Sequence, residues 1–301
     1  MTRMASGRWL LILALGLVAL LGASGCGDDE EEGGGGAQAT PAAEAKQYPA
    51  SSPLGQIQSK GELTIGVKFD VPPFGFKNPQ TNEVEGFDVD LGRAVAQELG
   101  VEPKFIEAVS DNRIPFLQDG TSDLILSTMT INGERVQEID FSEPYFIARG
   151  RILVKSDSDI AGVDDLAGRK VCTALGSTYE ATLKEQAPEA DLRLVDSYSE
   201  CLELIQNGAV DAVSTDDVIL TGMIIQDDTL KLVGDELTQE PYGAGIKKGN
   251  TELKTLVDDT FTKYKEDGRW KKTYDKWVGQ YTKQAQEPPD ITIDEAVKLT
   301  E

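Results

Sequence analysis

From Gly61 onward, short β-branched runs alternate with amphipathic stretches of helical spacing, and this alternation constrains the fold more than any other property of the chain. Leu63–Val67, Lys104–Glu107 and Leu124–Ser127 read as strands. Between them, Leu91, Val95 and Leu99 recur at i, i+4 and i+8 in a helix expected over 88–99, with Gly100 at its C-terminal cap. A short helix over 114–118 and another starting near Asn132 follow. The second half repeats the rhythm, with strands at 152–155, 171–174, 192–195 and 210–213 and helices at 177–185 and 200–206. Strands separated by helices of this length indicate parallel-rich sheets covered by helices, an α/β fold. A length of 301 residues suits about two such units of ~150 residues.

Toward the C-terminus a strand at 244–246 leads into helical segments. Leu253, Leu256, Val257 and Phe261 mark one apolar face, and Trp270, Tyr274 and Trp277 mark another that reads as core. Pro288 and Pro289 end the helical pattern and leave an acidic tail.

The N-terminus has a different character. Arg3 and Arg8 precede an apolar run from Leu10 to Leu21, and Gly22, Ala23, Ser24 and Gly25 lead into Cys26, the pattern of an export signal over residues 1–25. Such a run makes about 18 Å of helix, short of a ~30 Å hydrocarbon core, which disfavours a span. Small residues directly before Cys26 resemble a bacterial lipoprotein signal, which implies lipidation of that cysteine and attachment to the outer face of the cell membrane. Five acids, Asp28–Glu32, then four glycines, Gly33–Gly36, open a segment too polar to bury a core, so residues 26–55 are expected to form a flexible tether. Export sets an oxidising environment, in which Cys172 and Cys201 are expected to pair; two buried free thiols are the alternative.

Charge and composition remove whole classes of function. Fifty-two acidic residues against 29 basic ones repel nucleic acids and anionic lipid surfaces. Histidine is absent, which excludes Ser-His-Asp and Cys-His catalysis and the usual zinc and iron sites, so no metal or cofactor is expected.

Gly86-Phe87-Asp88-Val89-Asp90-Leu91, Ser127-Thr128-Met129-Thr130 with Arg135, Phe141, Pro144-Tyr145, Gly176-Ser177-Thr178, Asp211-Ala212 with Asp216-Asp217, and Tyr242-Gly243 follow in order across residues 56–283. This ordered set resembles family 3 extracytoplasmic solute-binding proteins, the polar amino acid receptors of ABC importers. The resemblance implies a two-lobed periplasmic-binding-protein fold of type II, with a two-strand hinge and a ligand cleft between lobes. It places lobe 1 at residues 56–149 and 246–285, lobe 2 at 150–245 and a tail at 286–301. It further implies a monomer that closes on an amino acid and is read by a permease.

An α-carboxylate presents two coplanar oxygens that an arginine fork matches, and Arg135 in the first turn of a helix capped by Asn132 is the candidate. The resemblance adds the backbone N–H groups of Thr130 and Thr178 for the carboxylate, and Asp216, the Thr130 hydroxyl and the Thr128 carbonyl for the ammonium group. Ser127 belongs to the same loop, and Phe74 after the Pro-Pro turn is expected as a pocket wall or as core. Each has a plainer reading: Arg135 as a solvated charge, Asp216, Thr130 and Thr178 as helix caps. Ser110-Asp111-Asn112-Arg113-Ile114-Pro115 resembles an element of glutamate/aspartate receptors, whose first strand also ends in a base, here Lys68. Two cations suit a second carboxylate, so glutamate is the expected ligand and aspartate the next, with Tyr198 and Ser110 adding hydrogen bonds. Alternatives are a receptor for glutamine or another polar amino acid, a ligand-sensing module, and an exported cyclohexadienyl dehydratase using Lys68 or Glu107 as acid or base. Binding without catalysis is the expectation.

Overall fold

The computed structural model describes residues 45–301. The expected signal peptide, Cys26 and the first part of the tether lie outside the described residues. The ordered body begins before residue 55. The Gln58 side chain accepts from the Tyr48 N–H at 3.0 Å and donates to the Lys46 carbonyl at 2.8 Å, which fastens the incoming chain. Helix α1 (Pro53–Lys60) then starts at a Ser52 cap with proline in its first turn, and buries Leu54 and Ile57.

The first lobe continues with β1 (Glu62–Val67) and a small antiparallel sheet of β2 (Asp70–Val71), β3 (Gly75–Lys77) and β4 (Val84–Glu85). Then come α2 (Phe87–Leu99), β5 (Glu102–Glu107), α3 (Arg113–Asp119), β6 (Leu124–Ile125), the single turn α4 (Arg135–Glu138) and β7 (Ile139–Phe141). Strand β8 (Phe146–Lys155) carries the chain into the second lobe. That lobe comprises β9 (Lys170–Ala174), α5 (Thr178–Gln186), β10 (Asp191–Val195), α6 (Tyr198–Gln206), β11 (Ala212–Asp216), α7 (Asp217–Gln226) and β12 (Leu230–Val233). Strand β13 (Gln239–Tyr242) returns to β14 (Gly245–Lys247), α8 (Thr251–Glu266), α9 (Arg269–Tyr274), α10 (Gln280–Thr282) and α11 (Ile293–Leu299).

Strand order is β5-β1-β6-β14-β7 in the first lobe and β10-β9-β11-β8-β12 in the second. Both sheets are mixed. Crossover helices make β1 parallel to β5 and β6, and β9 parallel to β10 and β11, while β14, β8 and β12 pair antiparallel because the chain there passes between lobes or doubles back. The hinge consists of β8 and β13, paired antiparallel from Phe146↔Tyr242 to Arg149↔Gln239. Cys172 in β9 is bonded to Cys201 in α6, inside the second lobe.

Two expectations from the sequence are corrected. The helix near Asn132 is only the turn α4, because Asn132 Oδ1 takes the Arg135 N–H at 2.9 Å and β7 begins at Ile139; one turn carries no dipole to speak of. The tail forms α11 behind a Thr292/Glu295 capping box, where Ala296 is fully buried and Ile293 and Val297 pack against the cluster of Met129, Ile131 and Phe141.

Candidate functional site

The loop after β6 builds one wall of a cavity between the lobes. Thr128 adopts a left-handed backbone (φ 45°), and its N–H is held by Asp88 Oδ2 of α2 at 2.9 Å. Thr130 then bridges to Tyr242 of the hinge. Burial pushes Asp88 up to about 7, against the hydrogen bond from Thr128.

Ser110, Arg113, Thr128, Thr130 and Arg135 of the first lobe meet Ser177, Thr178, Tyr179, Tyr198 and Asp216 of the second around this cavity. Its free volume is about 10 Å³, room for roughly one water. The lobes are therefore drawn together, and an amino acid enters only when they part.

Arg113 opens α3 and fans its guanidinium into backbone carbonyls: Ser110 at 3.0 Å, Ser127 at 3.0 Å, Thr128 at 2.9 Å and, across the cleft, Gly176 at 3.2 Å. Arg135 donates to the Thr130 carbonyl at 2.8 Å and to the same Gly176 carbonyl at 3.0 Å. Both are buried. Desolvation brings Arg113 down to about 9, helped by the Arg135 charge, and lowers Arg135 against the opposing charge of Glu240.

Lys68 stands behind Ser110, donating to its hydroxyl at 2.8 Å, with its ammonium 5.7 Å from the centre of the Tyr198 ring. It is 1 % exposed. Burial, then the Arg113 charge, push it down to about 7. Tyr198 is pushed up to about 12 by burial. Asp216, at the end of β11, accepts from the Tyr179 hydroxyl at 2.9 Å and makes no capping bond to α7. Burial raises it well above the usual carboxylate range, and the Glu240 charge adds to that.

Three candidates are placed differently. Phe74 is core: its ring is fully buried against Phe87, Phe146 and Tyr242 at 5.0–5.7 Å. The Ser127 hydroxyl turns away to the Ala108 carbonyl at 2.8 Å, so its contribution is its own carbonyl on Arg113. Glu107, the alternative acid or base, is exposed at the end of β5. Sequence reasoning passed over Glu240, which is 2 % exposed and takes the hydroxyls of Thr130 at 2.5 Å, Thr178 at 2.9 Å and Thr238 at 2.7 Å. The available signal was an acid directly before Pro241-Tyr242-Gly243, which holds the Tyr242-Gly243 motif of the family resemblance. Gly176 was noted only within a motif; its φ of +72° and its approach to Asp111 suit glycine.

Comparison with known proteins bears on this site. The model of bacterial extracellular solute-binding proteins, family 3, matches residues 63–280. The ABC transporter glutamine-binding protein GlnH of Bacillus subtilis (strain 168) is 40% identical over 239 residues, 78% of this chain and 88% of that protein. An ancestral arginine-binding protein bound to glutamine superposes with a TM-score of 0.70 at 39% identity, covering 73% of this chain and 98% of that one. The ancestral amino acid-binding protein AncCDT-1, a precursor of cyclohexadienyl dehydratase, gives a TM-score of 0.70 at 37% identity, covering 75% and 99%.

Proposed function

The chain belongs to the bacterial extracellular solute-binding proteins, family 3, and serves amino acid ABC transport outside the cytoplasm; from that premise we propose that its ligand is glutamine. The observation that carries this reading is the state of the two cations at the distal end of the site. Arg113 is engaged by four backbone carbonyls, and Lys68 is pushed to about 7 beside a serine hydroxyl. A buried carboxylate side chain needs firm counter-charge, whereas an amide needs one donor and one acceptor, which Lys68 and Ser110 supply. Glutamine therefore stands ahead of glutamate and aspartate, reversing the order expected from the sequence. The glutamine-binding relative supports the same order.

In this proposal Arg135 and the N–H groups of Thr130 and Thr178 hold the α-carboxylate, while Asp216, the Thr130 hydroxyl and the Thr128 carbonyl hold the ammonium. Contacts shared between lobes make closure a population shift driven by the ligand. In this reading the chain binds and does not catalyse, and Glu107, one of the two groups considered as acid or base, is exposed at the end of β5 and does not line the cavity. In the same proposal Cys26 anchors the monomer by lipid to the outer face of the cell membrane, and a permease reads the closed form.

Calorimetry with glutamine, glutamate, aspartate and arginine tests the ligand. Glutamine binds most tightly, with a dissociation constant of about micromolar, about −8 kcal/mol. Tighter binding of glutamate would restore the two-cation reading.

A further inference from the structure

Glu240 lies on hinge strand β13 and does not line the cavity, yet its buried carboxylate is bonded to both lobes. Thr130 of the first lobe and Thr178 of the second donate their hydroxyls to the same oxygen, Oε2, at 2.5 and 2.9 Å. The hinge residue Thr238 donates to Oε1 at 2.7 Å. A carboxylate only accepts, and a threonine hydroxyl has one proton. Once that proton points at Glu240, the side of each hydroxyl that faces the cavity offers lone pairs alone. Thr130, Thr178 and Asp216 all line the cavity, so this end of it becomes a cluster of acceptors.

Charge points the same way. The Glu240 and Asp216 carboxylates repel across this end of the site, and the Glu240 charge is the largest influence opposing the desolvation of Arg135. A cation seated against Asp216 and the two hydroxyls relieves that repulsion.

We infer that Glu240 is a positioning residue for ligand recognition: by holding the Thr130 and Thr178 hydroxyls as acceptors, it makes the site select α-amino acids over the same molecules lacking the amino group. The inference rests on the amino acid reading of this site and adds the residue that orients its ammonium contacts.

The Glu240→Leu variant removes the acceptor, so the Thr130 and Thr178 hydroxyls are no longer held and each can turn its proton toward the cavity. The experiment measures affinity for glutamine and, by competition, for 4-carbamoylbutanoate, its analogue without the amino group, on the full chain and on the variant. The ratio of the two affinities falls at least about fivefold in Glu240→Leu, chiefly through weaker glutamine binding. An unchanged ratio, whatever the absolute affinities, overturns the inference, because a merely structural role moves both ligands together. Failure of the unaltered protein to bind any amino acid is separate, and overturns the functional reading beneath it. A Glu240→Asp variant, which keeps the carboxylate, retains more of the ratio than Glu240→Leu.

Discussion

Arg135 of the first lobe donates to the carbonyl of Gly176 in the second at 3.0 Å, and Arg113 reaches the same oxygen at 3.2 Å. A single backbone oxygen thus joins two buried guanidiniums across the cleft. When the lobes part, both lose that acceptor, and a ligand carboxylate is the group best fitted to replace it. Arg135→Ala is therefore expected to abolish binding of every amino acid, with a loss of at least about 100-fold by calorimetry, consistent with the few kcal/mol of a buried charged hydrogen bond. Micromolar binding by this variant would remove Arg135 from the carboxylate site.

Gly176 offers a second test. Its φ is +72°, and a Cβ there would fall 2.7 Å from Asp111 Cα and 2.9 Å from Asp111 N, both backbone atoms of the facing lobe. Gly176→Ala adds about 1–2 kcal/mol of backbone strain as well as this clash. The variant is expected to stay open in solution scattering at glutamine concentrations that close the unaltered protein, and to bind at least about tenfold more weakly. Normal closure would show that the loop yields.

Lys68 gives the site a pH dependence whose sign is fixed. Burial and the Arg113 charge bring it to about 7, so it holds its proton below that pH and loses it above. Its folded value lies below the unfolded one near 10.4, so its contribution to stability is full above pH ~10 and is lost as pH falls toward 7. Binding has the opposite slope. If the ammonium donates to the ligand's side chain, affinity is full at pH 6 and declines above pH 7, by at most about tenfold per unit. Lys68→Met should flatten the profile, and a flat profile in the unaltered protein would separate Lys68 from the ligand.

The α/β class was legible because strands and helices announce themselves by periodicity, and α2 and β5 follow their apolar spacing closely. The wall built by Thr128 was legible only through family resemblance, since a residue at φ 45° held by Asp88 depends on a contact forty positions away. Glu240 escaped notice for the opposite reason: an acid in a strand usually faces water, whereas this one is buried on the hydroxyls of Thr130 and Thr178, from distant segments, and of Thr238, two residues away. Phe74 stayed open between pocket wall and core because a buried aromatic looks the same in sequence whether it meets a ligand or, as here, other rings.

The tail beyond the family match is predicted to contribute stability. Ala296 is buried, Ile293 and Val297 are partly so, Lys265 donates to the Pro289 carbonyl at 2.7 Å, and Gln286 reaches the Ile147 carbonyl of the hinge at 3.2 Å. Removing residues 284–301 should destabilise the protein by about 2–3 kcal/mol, lowering Tm by at least about 4 °C. An unchanged melting curve would mean that α11 is only loosely laid on the lobe.

Reduction of the Cys172–Cys201 bond, with its sequence separation of 29, should cost the second lobe about 3.5 kcal/mol in the chain-entropy picture. Denaturant midpoints with and without reductant measure it, and equal midpoints would contradict it.

Strands β8 and β13 meet residue for residue, Ile147 beside Pro241 and Ala148 beside Glu240. The whole second lobe is therefore strung between two neighbouring points, like a loop grown from a hairpin. Its exchange for the matching lobe of another receptor requires only two splices, side by side, and leaves the first lobe's sheet unbroken. New ligand preferences can then arise by transplanting half a cleft, with Arg135 and its carbonyl partners kept on the half that stays.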